Sequence, residues 1–210
     1  MYNTVTLPNT LSCSSCWFCK TMQASANTLF CSTCHKIQEL KPLKDAFALL
    51  NLQPDFNIDL KTLESNYLKL TQALHPDRFS QASTREKLFA TQQTAQINDA
   101  YSKLADPVER GYHLMRLKGF SGLLANEITT HDPELLMEVM EAREALEYAE
   151  TPAKIEGLIQ STQNALKATY EVIMSTLAAN HFELARTNLY RYRYYVKFIQ
   201  DTKQKLSKYN

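Results

Sequence analysis

A proline at position 76 interrupts the strongest helical pattern in this chain. Proline lacks an amide hydrogen and pushes the residue before it out of helical geometry, so a helix running toward it must stop near His75. Before the stop, Leu60, Leu63, Tyr67, Leu70 and Leu74 recur at helical spacing, with Asp59 placed to cap the start. After it, Ser83-Thr84-Arg85-Glu86 has the S-x-x-E form of a capping box. It opens a second pattern through Leu88, Ile97, Tyr101 and Leu104, closed by Asp106-Pro107, and the short run Asp45–Leu50 precedes both. These residues predict two antiparallel helices joined at a rigid, exposed turn, His75-Pro76-Asp77. An imidazole beside a carboxylate on such a turn, with no catalytic cleft around them, is a contact point for a partner. Lys61 and Lys69 stand on the outer face of the first helix, where Glu64 is the only acid.

Composition bounds the rest. A length of 210 residues suits one or two domains, and four glycines with little β-branched alternation predict an all-α chain. No run approaches the roughly 20 apolar residues that cross a bilayer. A net charge of +1 gives no basic field to draw the chain to nucleic acid or anionic lipid. No nucleophile, base and oxyanion arrangement is evident, so an enzyme is not expected. No apolar core of a secretory signal is visible, and the stretch before Glu39, the first acid, is rich in Ser and Thr but has no arginine. Too few residues precede Cys13 for a conventional cleavable presequence.

All five cysteines lie before residue 35. A disulfide framework spreads its cysteines through a small secreted domain, whereas this clustering points to metal in a reducing compartment. Cys16-Trp17-Phe18-Cys19 and Cys31-Ser32-Thr33-Cys34 form two CxxC knuckles, and two such pairs complete a tetrahedral four-sulfur shell. The expected ligands are Cys16, Cys19, Cys31 and Cys34 around a structural zinc ion, which would substitute for the core this short segment cannot build. Cys13 also forms a CxxC with Cys16, and His35 is an alternative ligand. A thioredoxin-type redox pair would want one CxxC in a βαβ setting, and a nucleic-acid ribbon would want more cations than Lys20 and Lys36. The metal's role is therefore structural, or it forms a docking face.

In the C-terminal half, Val108 to Leu117 reads as a helix ended by Lys118-Gly119, with Gly122 in the connection that follows. Asp132-Pro133 begins a helix with Leu135, Leu136, Met137, Val139, Met140 and Leu146. Thr151-Pro152 begins another with Ile155, Leu158, Ile159, Leu166, Tyr170, Ile173 and Leu177. A last helix starts near Asn180-His181 and carries Leu184, Leu189, Tyr192, Tyr195, Phe198 and Ile199. Short loops between amphipathic helices predict an antiparallel three-helix bundle. Leu136, Met137 and Met140 adjoin Glu141 and Glu144, and periodicity alone assigns that stripe to the core. Met, Tyr and Arg are also common at binding surfaces, and Arg191-Tyr192-Arg193-Tyr194-Tyr195 supplies more of them. The tripeptide Leu189-Tyr190-Arg191 reads as a stretch of helix surface.

The order of CWFC, FCSTC, LHPDRF, INDAYSKLADPVERGYHLMRLKGF and LLMEVMEAREAL resembles the HscB/Jac-type co-chaperone family, in its zinc-containing eukaryotic-like form. The resemblance runs from about Cys16 to the end. It implies an N-terminal tetracysteine module over 1–40, a J-domain over 41–118 and a scaffold-binding bundle over 119–210. It further implies that the protein stimulates the ATPase of a DnaK-type chaperone and delivers to it an iron–sulfur cluster scaffold protein of IscU type. On that basis His75, Pro76 and Asp77 would engage the chaperone, and Lys61, Lys69 and Arg78, with Arg85 and Lys87, would meet an acidic surface there. The scaffold would meet Leu136, Met137, Met140, Glu141, Glu144, Arg193 and Tyr194, which turns the stripe from core to interface. Tyr148 departs from the bacterial pattern, which has a further acid. The same resemblance implies a mitochondrial matrix protein, also cytosolic, or alternatively a bacterial cytoplasmic one, acting as a monomer or weak homodimer. The rival readings are a J-protein adaptor for a different client and a zinc-dependent thiol oxidoreductase.

Overall fold

Aspartate, serine and threonine caps set where the helices begin. The computed structural model describes residues 15–23, 29–39, 45–120 and 133–209. Among them are α1 (Ala46–Leu49), α2 (Leu60–Ala73), a 3-10 turn (Pro76–Phe79), α3 (Thr84–Ala105), α4 (Pro107–Leu117), α5 (Pro133–Glu147), α6 (Pro152–Ala178) and α7 (Phe182–Leu206). Asp59 accepts from the amides of Lys61 and Thr62, and Thr151 from that of Lys154, so each closes open donors at a helix start. Gly122, the Asp132 cap and Cys13 lie outside the described residues.

Helix ends follow one chemistry. Asn51, Gly119 and Asn180 adopt left-handed backbone with φ of 52°, 87° and 59°. Each lets the next amide reach back to a helix carbonyl: Leu52 to Phe47, Phe120 to Met115, His181 to Thr176. This 6→1 closure satisfies carbonyls that the helix end leaves open. Lys118 adds its ammonium to the end of α6, 2.9 Å from the Leu177 carbonyl and 3.0 Å from Asn180 Oδ1.

The chain divides into two compact units, Met1–Arg110 and Gly111–Asn210, with the division inside α4. In the first, α2 and α3 pair as a hairpin and α1 packs on α3. Phe47, Leu50, Phe56, Leu63, Leu74, Ile97 and Leu104 are fully buried between them. Tyr67 stacks on Tyr101 at 4.2 Å and bonds Asn98 through its hydroxyl. The buried Arg110 donates to the Leu104 carbonyl at the end of α3, its guanidinium 5.2 Å from the Phe56 ring. Leu88, read as part of the α3 stripe, is 53% exposed; Phe89 takes the inner position.

The cysteine module docks on α3, a contact between residues far apart in sequence. Trp17 donates its indole N–H to the Ile37 carbonyl at 2.7 Å and lays its ring edge against Phe89. Arg85 covers both rings, 4.7 Å from Trp17 and 5.3 Å from Phe89. Gln93, buried although polar, donates to the Gln38 carbonyl. Glu86 completes the contact. One carboxylate oxygen accepts from the amide and hydroxyl of Ser83, closing the capping box, and the other meets Lys36 at 2.9 Å.

In the second unit α6 and α7 form a long hairpin and α5 lies along α7. The buried face of α6 carries Ile155, Thr162, Thr169 and Thr176, one every seventh residue. Leu158, Ile159 and Leu166, expected in that core, are only half-buried. The hydroxyls of Thr162 and Thr176 bond carbonyls four residues back, as does that of the buried Thr202 on α7, so none is stranded. In Leu189-Tyr190-Arg191, read as helix surface, Tyr190 and Arg191 are half-buried, with Arg191 3.8 Å from the exposed Glu134, while Leu189 is fully buried and faces Gly111 of α4.

Burial opposes ionisation of Glu86, but Lys36 and Ser83 outweigh it and hold the carboxyl below its ordinary range. A lowered folded pKa means the stabilisation is complete above the unfolded value and is lost as pH falls through the folded one. Glu86→Gln is therefore expected to be less stable than the parent at neutral pH, with the gap narrowing as pH falls below the ordinary carboxyl range in urea titrations. An equal gap at neutral and acid pH would show that the charge contributes nothing. At Gly111, an added Cβ would sit 2.7 Å from Leu189 Cδ2. Leu189 is fully buried, so Gly111→Ala should cost about 1–3 kcal/mol in the same assay despite alanine's helix preference.

Candidate functional site

Three places in the fold carry chemistry. The first is the cysteine cluster. The sulfurs of Cys16, Cys19, Cys31 and Cys34 all lie within 4.8 Å of one another. Cys16 and Cys34 are 3.6 Å apart, as are Cys19 and Cys31, so each cross-pair joins one knuckle to the other. The knuckles repeat one backbone design. Cys16 N donates to Thr21 O and Lys20 N to Cys16 O; Cys31 N donates to Lys36 O and His35 N to Cys31 O. Lys20 and His35 turn each chain at φ of 62° and 57°. His35, the alternative ligand, contributes no atom to the cluster.

Amide hydrogens point at the sulfurs: Phe18 and Cys19 at Cys16, and Thr33 at Cys31. Burial resists ionisation of Cys31, yet the amides of Cys34 and Thr33 bring its thiol down to about 6. Thr21 lowers Cys19, whereas burial pushes Cys34 up to about 12. Four convergent sulfurs fed by backbone donors fit a tetrahedral metal ion, with the four cysteines as its ligands.

The second place is the turn after α2. His75 caps the 3-10 turn, its Nδ1 accepting from the Asp77 amide at 3.3 Å. With Nδ1 taken up as an acceptor, Nε2 is the ring nitrogen left to donate to a partner. The Asp77 carbonyl takes the Ser80 amide and hydroxyl, and Phe79 is buried as the anchor. The tip itself stands out: the His75 and Asp77 side chains are 59% and 91% exposed. Lys61, Lys69 and Arg78 are exposed as well. Arg85 differs, since Trp17 of the cysteine module and Phe89 of α3 already hold it.

The third place is the outer face of α5. Leu136, Met137 and Met140 are 48%, 63% and 70% exposed, with Glu141 and Glu144 also outward. The core assignment from periodicity therefore fails here; Leu135 is the α5 side chain that is buried. On α7, the half-buried Tyr194 donates its hydroxyl to the Val139 carbonyl at 3.3 Å, which sets it beneath α5. Burial raises its pKa. Arg193 sits on the other side of α7, where its charge acts on Tyr112 of α4. Two clasps escaped sequence reasoning: Tyr195 bonds Glu138, and Lys205 bonds the carbonyls of Leu146 and Glu147. Neither leaves a local signal, because both join residues far apart in the chain.

Comparisons with known proteins agree with this layout. A family model described as the HSCB C-terminal oligomerisation domain matches residues 131–203. The mouse iron-sulfur cluster co-chaperone protein HscB is 32% identical over 195 residues, covering 92% of this chain and 82% of that protein. A co-chaperone protein HscB homologue from Shewanella halifaxensis is 39% identical over 148 residues, or 66% of this chain and 84% of its own. The crystal structure of human co-chaperone protein HscB superposes with a TM-score of 0.82 at 29% identity, covering 91% of this chain and 98% of that one. Likeness of this extent, over a helical hairpin, a bundle and a cysteine cluster, leaves one conclusion: the chain belongs to the HscB/Jac-type family, co-chaperones of iron–sulfur cluster assembly rather than enzymes.

Proposed function

We propose that this protein stimulates the ATPase of a DnaK-type chaperone through His75, Pro76 and Asp77 and brings to it an iron–sulfur cluster scaffold protein of IscU type. The observation that carries the reading is the exposed tip: a donor at His75 Nε2 and an acceptor at the Asp77 carboxylate, fixed by a buried Phe79. Lys61, Lys69 and Arg78 would meet an acidic chaperone surface, where complementary charge speeds encounter and fixes orientation. The scaffold would be held by Leu136, Met137 and Met140 with Glu141 and Glu144 as the acidic rim. Tyr194 backs that face from α7, and Arg193 belongs to the same site by resemblance. Holding the client on one end and the chaperone on the other raises their effective concentration without a new contact.

The cysteine module is proposed to hold structural zinc. A tetrahedral shell with zinc–sulfur bonds of about 2.3 Å has edges of about 3.8 Å, close to the 3.6 Å cross-pairs. Among the described residues of the module the buried apolar ones are few, Leu29 and Ile37 beside Cys16 and Cys31, so bound metal would supply the cohesion a larger core would give. The compartment is proposed to be a reducing one. Likeness to the mouse protein across 92% of the chain, against 66% for the Shewanella one, favours the mitochondrial matrix over a bacterial cytoplasm.

Chaperone ATPase rates, measured with and without scaffold, test the reading: the two should act in synergy. Asp77→Asn should abolish the stimulation while circular dichroism stays that of the parent; retained stimulation would remove the tip from the mechanism. Leu136→Ala with Met140→Ala should weaken scaffold affinity by about 1–3 kcal/mol in isothermal titration. Unchanged affinity would dismiss the α5 face, and stimulation without any scaffold binding would point to a different client.

A further inference from the structure

The two cysteine knuckles are a short internal repeat, Cys16-Trp17-Phe18-Cys19-Lys20-Thr21-Met22-Gln23 and Cys31-Ser32-Thr33-Cys34-His35-Lys36-Ile37-Gln38. Each is closed by an antiparallel bridge, Ser15 with Met22 and Phe30 with Ile37. Each ends in a buried glutamine that folds back on the carbonyl two residues before it: Gln23 Nε2 on Thr21 O at 3.1 Å, Gln38 Nε2 on Lys36 O at 2.7 Å. There the likeness ends. The second Nε2 hydrogen of Gln23 reaches the sulfur of Cys31, in the opposite knuckle, at 3.2 Å. Its Oε1 accepts the Ser32 amide at 3.3 Å. Gln38 instead gives its backbone carbonyl to Gln93 of α3.

The orientation of the Gln23 amide is forced. Turned over, it would set an oxygen against both the Thr21 carbonyl and a sulfur, and its nitrogen against the Ser32 N–H. Two donors and one acceptor are thus all used, in a residue that is only 2% exposed. A neutral donor held at that place withdraws electron density from the Cys31 thiolate without competing for the ion. Partners of this kind, outside the ligand shell, fix ligand orientation and tune metal affinity.

We propose that Gln23 is a positioning residue for the four-cysteine centre: it ties the two knuckles together across the metal and makes Cys31 the least electron-rich of the four ligands. Its counterpart Gln38 keeps only the bond to Lys36 O with its side chain and meets α3 through its backbone carbonyl. The proposal rests on the metal reading of the module.

The test uses the full chain loaded with Co(II) as a probe, and Zn(II) transfer to a chromophoric chelator. In Gln23→Met the sulfur-to-cobalt charge-transfer bands should move to lower energy, because a thiolate that loses a hydrogen bond gives up its electrons more readily. Zinc should bind about tenfold more weakly. Gln38→Met keeps the sulfur environment and should leave the bands in place. Should Gln23→Met fold poorly, Gln23→Leu removes the same donor with a side chain of similar size, and the bands should again move to lower energy. Bands that stay put in the Gln23 variants overturn the proposal whatever happens to affinity, since simple packing would explain a weakened site. Bands that move equally in Gln38→Met overturn it too. If the unaltered protein gives no tetrahedral thiolate spectrum with Co(II), the metal reading itself falls, and the proposal with it.

Discussion

The carboxylate of Glu86 is where the parts of the first unit meet. One oxygen closes the capping box with Ser83, which starts α3 directly after the His75-Pro76-Asp77 tip. The other receives Lys36 from the cysteine module. A single side chain thus fixes the return strand of the hairpin and anchors a segment that has little core of its own. Around it the cation of Arg85 spreads over Trp17 and Phe89, and Gln93 takes the Gln38 carbonyl two turns on. The module lies against the first turns of α3 as part of the hairpin's support.

Much of this was readable from residue order because it is local chemistry. Prolines 76, 107, 133 and 152 mark breaks or starts, and Asp59, Ser83 and Thr151 supply caps whose reach is three residues or fewer. The CxxC pairs announce a cluster for the same reason: two thiols on one tight turn can meet one ion. Contacts between distant segments left no such trace. Nothing near Trp17 says that it rests on Phe89, or near Lys205 that it seals α5. The α6 seam was misread because threonine counts as polar in any pattern, although its hydroxyl is satisfied by its own helix. In Leu189-Tyr190-Arg191 the leucine is buried because Gly111, distant in the chain, leaves space for it, and nothing near the tripeptide signals that. The pattern does not single out the glutamines ending the two knuckles, and only geometry separates their duties.

In the second unit α7 is the element the others lean on. Its Leu189 faces Gly111, Tyr190 approaches Tyr112 of α4 at 6.3 Å, and Tyr192 approaches Tyr170 of α6 at 6.1 Å. Tyr194 and Tyr195 then turn to α5. Tyrosine suits such a hub, since its ring packs as an apolar body and its hydroxyl still finds a partner at the far side. Successive residues of one helix thereby address three neighbours, each with a different edge of an aromatic side chain.

The hold on α5 has an evolutionary consequence. Tyr194 and Lys205 grip that helix by its backbone carbonyls, which every amino acid supplies alike. The residues on its outer face are therefore released from any duty in folding. Substitutions can accumulate there one at a time while the helix keeps its seat.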